Sequence, residues 1–172
     1  IVASMRIAVA SPTPNCLTVG SPLTMKLPKT QSKIRAAAQI TRAAVARLPG
    51  LSVASVYVPN GGKDYDAKLR FLSALDTWAE DAARDGRRLL VCGDLNVART
   101  DRDIHPRERK PNQIGTRPDE REALERVLSR GLVDVGRTLD PDNDSLFTWW
   151  APWRTLKQRN IGWRIDYVLA SD

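Results

Sequence analysis

The 172-residue chain predicts an α/β fold; one observation carries that class and two more bound it. Short strand-like runs alternate with two longer segments of helical period, the order expected when helices pack on a sheet. No apolar run approaches the ~18 residues that a membrane span needs. A chain of this length can also bury roughly 70% of its unfolded surface without staples. Its two cysteines, Cys16 and Cys92, make no disulfide framework and suit a reducing compartment.

The elements follow in order. Residues 1–50 hold seven Lys and Arg, no Asp or Glu, and no aromatic residue, while the remainder balances twenty basic against twenty acidic side chains. The net charge of +7 therefore sits in this first segment and says little about a binding face on the rest. Residues 11–28 are rich in Ser, Pro and Thr, without a period, and read as loop or disorder. Residues 34–48 are Ala-rich and read as a short amphipathic helix with a basic face. Taken whole, 1–50 reads as a basic, acid-free, non-native or disordered segment, with an organelle transit peptide as the alternative.

From Leu51 the chain reads as a globular domain, 51–172. Residues 51–58 alternate and are β-branched, which predicts a strand closed by Pro59-Asn60-Gly61-Gly62. Tyr65, Leu69, Leu72, Leu75, Ala79 and Ala82 recur at helical spacing, which predicts a helix over 64–84 that Asp85-Gly86 closes. Leu89 to Cys92 is a buried strand. Residues 98–115 are polar and irregular. Pro118 opens a helix with an apolar stripe of Ala123, Leu124, Val127 and Leu128, and Gly131 ends it. Residues 132–135 form a short strand or turn, and 140–144 a loop. Residues 147–150 and 165–170 read as two further strands.

Three constellations carry chemistry. Asp94 and Asn96 follow the strand 89–92, and in extended backbone their spacing places both side chains on one face. The carboxylate suits Mg²⁺ or a proton from water, and the amide suits a developing oxyanion. The plain alternative is an Asx-type turn. Tyr57, Asn60, Gly61, Gly62 and Lys63 set a phenol, an amide, flexible backbone and a cation at a strand end, fit for phosphate oxygens or simply for a turn. Trp149, Trp150, Trp153 and Trp163 interleave with Arg154, Lys157, Arg159 and Arg164, a pattern for stacking on bases and contacting phosphates, or for a core beside a solvated loop. Asp166 lies in an apolar run and needs a partner there.

Residues 51–172 resemble the exonuclease III family of apurinic/apyrimidinic endonucleases, within the endonuclease/exonuclease/phosphatase superfamily. The matching pieces are 56–61, Gly93-Asp94-Leu95-Asn96, 131–134, 147–150 and Gly162-Trp163-Arg164-Ile165-Asp166-Tyr167. The resemblance implies a DNase I-like α/β sandwich of two sheets with helices outside. It implies Mg²⁺- or Mn²⁺-dependent cleavage of double-stranded DNA at abasic sites or 3′ ends, by a cytoplasmic monomer of bacterial type with no membrane association. By the same resemblance Asp94 is the general acid/base and a metal ligand, and Asn96 belongs to the metal site and holds the attacking water or the oxyanion. Tyr57 bonds the scissile phosphate, Asn60 helps hold it, and Lys63 lies near the strand backbone. Asp166 orients a catalytic histidine. Trp163, Trp149 and Ile165 line a pocket for a flipped-out abasic sugar.

The sequence departs from the family in two places. The Trp-Asn-x-Asn and Gln-Glu-x-Lys runs of the family's first third are absent, and so is its closing Ser-Asp-His run. The lone histidine, His105, reads as structural or exposed. The expectation is a truncated or frameshifted form, lacking N-terminal strands and the C-terminal end, with little nuclease activity. The alternatives are an inactive DNA-binding remnant and a phosphatase or phospholipase relative.

Overall fold

A computed structural model describes residues 43–172. Five strands, β1 (Ala43–Leu48), β2 (Leu51–Tyr57), β3 (Arg88–Asp94), β4 (Leu132–Asp134) and β5 (Asp166–Ser171), form one mixed sheet in the order β1-β2-β3-β5-β4. Strands β1 and β2 are an antiparallel hairpin closed at Leu48↔Leu51. Strand β3 runs parallel to β2, and the crossover between them is helix α1 (Tyr65–Arg84). Strand β5 then pairs antiparallel with both β3 and β4.

Helix α1 begins where Asp64 accepts a hydrogen bond from Ala67 N at 2.8 Å. It ends in a Schellman arrangement, with Gly86 N donating to Ala83 O and Arg87 N to Ala82 O. Its stripe of Phe71, Leu72, Leu75, Trp78, Ala79 and Ala82 is buried against Ala54, Val56, Leu89, Val91 and Leu169 of the sheet. Helix α2 (Pro118–Leu128) adds Ala123, Leu124, Val127 and Leu128 to the same core. Full burial of such a side chain stabilises by about 1.5–3 kcal/mol, so the two stripes pin both helices to one face of the sheet. On the other face Val53, Leu90, Cys92 and Val168 stay incompletely buried. Among the described residues no helix is long and apolar enough to cross a membrane.

Several local expectations change. The described part of the helix expected over 34–48 is strand β1, and 34–42 lie outside the described residues. Ala43 packs on the core and every β1 residue pairs with β2, so the described sheet includes Ala43–Leu48 ahead of Leu51. Alanine-rich sequence has helical propensity, but cross-strand pairing with a β-branched neighbour overrides it. Residues 147–150 make only an isolated bridge, Trp149↔Trp163, because Thr148 N and Trp149 N both donate to the same Trp163 carbonyl. A short helix α3 (Val135–Leu139), capped by Asp134 accepting from Arg137 N at 3.2 Å, follows β4 where no helix was expected.

Candidate active site

The sheet brings three predicted side chains into one row. Tyr57 ends β2, Asp94 ends β3 and Asp166 opens β5, and their registers are Tyr57↔Asp94 and Asp94↔Asp166. Register partners share a face of the sheet, so all three belong to the same face at the same end. Gly93 makes the approach possible. Its φ is +139°, and a Cβ there would lie 2.0 Å from the Val56 carbonyl oxygen. No residue with a side chain fits that step of the strand.

After Asp94 the chain turns rather than continuing extended. Asn96 has φ +52°. Its backbone N–H donates to Asp94 Oδ1 at 2.8 Å, and its side-chain Nδ2 donates to Asp94 Oδ2 at 3.1 Å and to Val58 O at 2.8 Å. The Asx turn offered as the plain alternative is therefore present, and it is the device that joins the two functional groups. The extended-strand route to the same proximity is corrected. Asn tolerates the left-handed region better than most residues, which suits it to this position.

Burial pushes the Asp94 carboxyl up from 3.8 to about 6. The hydrogen bonds from Asn96 and the charge of Lys68 oppose the rise, and the neighbouring Asp166 charge adds to it. Among the described residues no cation is in ion-pair contact with either carboxylate.

A cleft of about 350 Å³ opens over this row. Tyr57, Asn60, Asp94, Asn96, Trp149, Trp163 and Ile165 all line it. The two indoles meet edge to face, 6.4 Å apart and at 88°. Gln113, Ile114 and Gly115 complete the rim. Gly115 has φ +96°, and a Cβ there would come within 2.9 Å of the Trp163 ring, so bare backbone lies flat against the indole. Asp166 stands beside Asp94 in the sheet but is not among the lining residues. Lys63 is exposed and lies outside the cleft. His105 is also outside it, accepting from Arg107 N and packing edge-on against Phe147.

Two readings of charge needed the tertiary structure. Arg164, grouped above with the phosphate-contacting cations, is buried. It binds Asp134 through two hydrogen bonds of 2.9 and 2.8 Å and Asp103 through one of 2.7 Å, and it stacks on Tyr167. A guanidinium so satisfied cannot reach DNA, which corrects its assignment. Lys68 and Glu120 were missed. Both are fully buried and form an ion pair, and Lys68 Nζ donates to Asn96 O at 2.7 Å. A signal was present: each is a charge on an apolar helical stripe, Lys68 between Tyr65 and Leu72, Glu120 ahead of Ala123 and Leu124.

A divalent cation fits the donor set at the end of the row. Asp94 and Asp166 are adjacent carboxylates, Asn96 is a third oxygen-bearing side chain, and Mg²⁺ commonly takes one or two carboxylates with waters and phosphate. A cation would also relieve the like-charge pressure that helps hold the Asp94 carboxyl high. Among the described residues no group of three or more His, Cys, Asp or Glu side chains converges, so the set is sparse.

The comparisons bear on this cleft. Residues 2–172 match the endonuclease/exonuclease/phosphatase family. The chain belongs to that family. It is 35% identical over 123 residues to an exodeoxyribonuclease of Bacillus subtilis, covering 70% of this chain and 48% of the relative. An AP endonuclease from Archaeoglobus fulgidus superposes with a TM-score of 0.66 at 29% identity, over 76% of this chain and 52% of that one. A Neisseria 3′ phosphatase bound to a product DNA hairpin gives 0.69 at 28% identity, over the same shares. The fold is thus the DNase I-like α/β sandwich of the exonuclease III relatives, and the described residues supply one sheet of it with its outer helices. The chain spans about half the length of the relatives it matches.

Proposed function

We propose that the cleft is the catalytic centre of a metal-dependent DNA phosphodiesterase of the exonuclease III type, acting in DNA repair on duplex DNA at abasic sites or 3′ ends. One observation carries the reading. Seven residues singled out from the sequence for phosphate or sugar contact, drawn from segments scattered between positions 57 and 165, line one cleft. Helical and strand periodicity alone gives such residues no reason to meet.

The chemistry follows from the row of side chains. Asp94 is mostly ionised at neutral pH, with its carboxyl near 6, and can take a proton from water as the oxygen attacks phosphorus. The bond from phosphorus to the sugar oxygen then breaks, and that oxygen leaves as a hydroxyl by taking a proton from water. Asn96 holds the attacking water or the oxyanion, and Tyr57 and Asn60 bond the phosphate. Asp94, Asn96 and Asp166 would hold Mg²⁺ or Mn²⁺, which would neutralise charge on the phosphoryl oxygens. Trp163, Trp149 and Ile165 offer an apolar wall to an extruded sugar. The Neisseria relative favours a second reading of the same centre, removal of a 3′ phosphate.

The test is a Mg²⁺-dependent assay with two substrates, an abasic duplex and a 3′-phosphorylated duplex. Asp94→Asn should lower turnover by ~10²–10⁴, the scale of a lost general base. Turnover that survives the substitution unchanged would remove Asp94 from the mechanism. Release of phosphate without strand nicking would select the second reading.

A further inference from the structure

The pair Lys68–Glu120 is costly to place and has no evident stabilising purpose. Both side chains are completely buried. Replacing a buried ion pair by apolar side chains is often neutral or stabilising, so such a pair is weak evidence for a stability role. Its contacts suggest another. Lys68, on α1, donates to the carbonyl of Asn96 at 2.7 Å, at the left-handed turn that holds the Asn96 carboxamide on Asp94. Glu120, on α2, accepts from Gly115 N at 2.5 Å and from Arg117 N at 2.9 Å. Gly115 in turn lies against the Trp163 ring and accepts from Ala98 N at 2.7 Å. The ion pair thus braces the Asn96 turn against the Gly115 segment, which also meet directly through Ala98 N and beside Asn96 O.

We infer that Lys68 and Glu120 are positioning residues that set the spacing between the phosphate side and the sugar side of the cleft. The inference rests on the reading of the cleft as a nuclease centre. Neither residue lines the cleft, so each acts through the backbone of a residue that does. A misplacement near 1 Å can cost ~10² in rate without loss of substrate contacts.

Three variants of the full chain test this: Lys68→Met, Glu120→Gln, and the double variant carrying both. Glutamine keeps the acceptor for Gly115 and Arg117. The double variant leaves no unpaired buried charge, and it serves where Lys68→Met does not fold. We expect kcat on abasic duplex to fall ~10–100-fold in the folded variants, with KM changed less than about threefold. Folded variants with wild-type kcat, alongside an inactive Asp94→Asn, would overturn the inference and leave the nuclease reading standing. Amide NMR supplies an arm that needs no turnover. In Glu120→Gln the signals of Gly115 and of Asn96 should both move, although only Gly115 bonds the altered side chain. Movement of Gly115 alone would show that the ion pair does not hold the Asn96 turn and would sink the inference. A wild-type chain without turnover would count against the nuclease reading, and the NMR arm would still decide the coupling.

Discussion

Asp94 and Asp103 lie on the same stretch of chain, yet their surroundings drive them in opposite directions. Burial pushes both carboxyls up. At Asp103 the guanidinium of Arg164 at 2.7 Å and that of Arg137 at 2.9 Å outweigh burial, and the carboxyl sits below its usual range. At Asp94 the opposing bonds come from neutral donors of Asn96 and the Lys68 charge acts without contact, so the carboxyl ends near 6. The difference separates two uses of a buried charge. The Asp103–Arg164–Asp134 cluster is saturated with partners and ties the end of β4 to the segments around Asp103 and Arg164. The Asp94–Asp166 row has spare acceptor capacity, which suits proton transfer and a cation.

The largest expected effect breaks the saturated side. Arg164→Met leaves Asp103 short of one partner and Asp134 without its two guanidinium bonds, and should cost about 3–5 kcal/mol in denaturant unfolding. A loss under about 1 kcal/mol would mean that water or Arg137 replaces Arg164 and that the cluster is not structural. Arg137→Met removes one bond from Asp103 and leaves Arg164 in place. A smaller loss of about 1–3 kcal/mol is expected, measured in the same way.

On the open side, Trp163→Ala should reduce preference for an abasic over an intact duplex by about 1–3 kcal/mol in competition binding, the scale of one stacking contact. Equal weakening on both duplexes would assign Trp163 to the core alone. Binding of both should weaken steeply with salt if phosphates are contacted.

The mildest test is pH. Asp94 must be ionised to accept a proton, so turnover should rise through pH about 6 and then level off. Raising Mg²⁺ from subsaturating to saturating concentration should move that inflection to lower pH. The stability signs differ between the two acids. Asp94 holds its proton more tightly folded than unfolded, so its own contribution to stability falls as pH rises between 3.8 and about 6. Asp103 has a depressed folded value, so its contribution is complete above the ordinary carboxylate range and is lost as pH falls below it. Asp94→Asn should remove the first trend and leave the second. Loss of the second trend in that variant would show the two regions to be coupled.

The sequence alone determined what depends on neighbours along the chain. Helix α1, with its Asp64 cap and Gly86 exit, helix α2 and the cores of β2 and β3 were legible because periodicity and capping are local properties. Four of the five motifs held seven of the residues that line the cleft, while Gln113, Ile114 and Gly115 lay outside every motif. Tertiary structure decided three matters. Ala43–Leu48 became a strand because β2 offered it a pairing edge, which alanine-rich sequence does not announce. Arg164 went inside because Asp103 and Asp134, distant in sequence, met it there. Lys68 and Glu120 stood out of place on their own stripes, but only the packing of α1 against α2 made them a pair. A charge is cheap or costly according to its partner, and partners far apart in sequence are set by the fold.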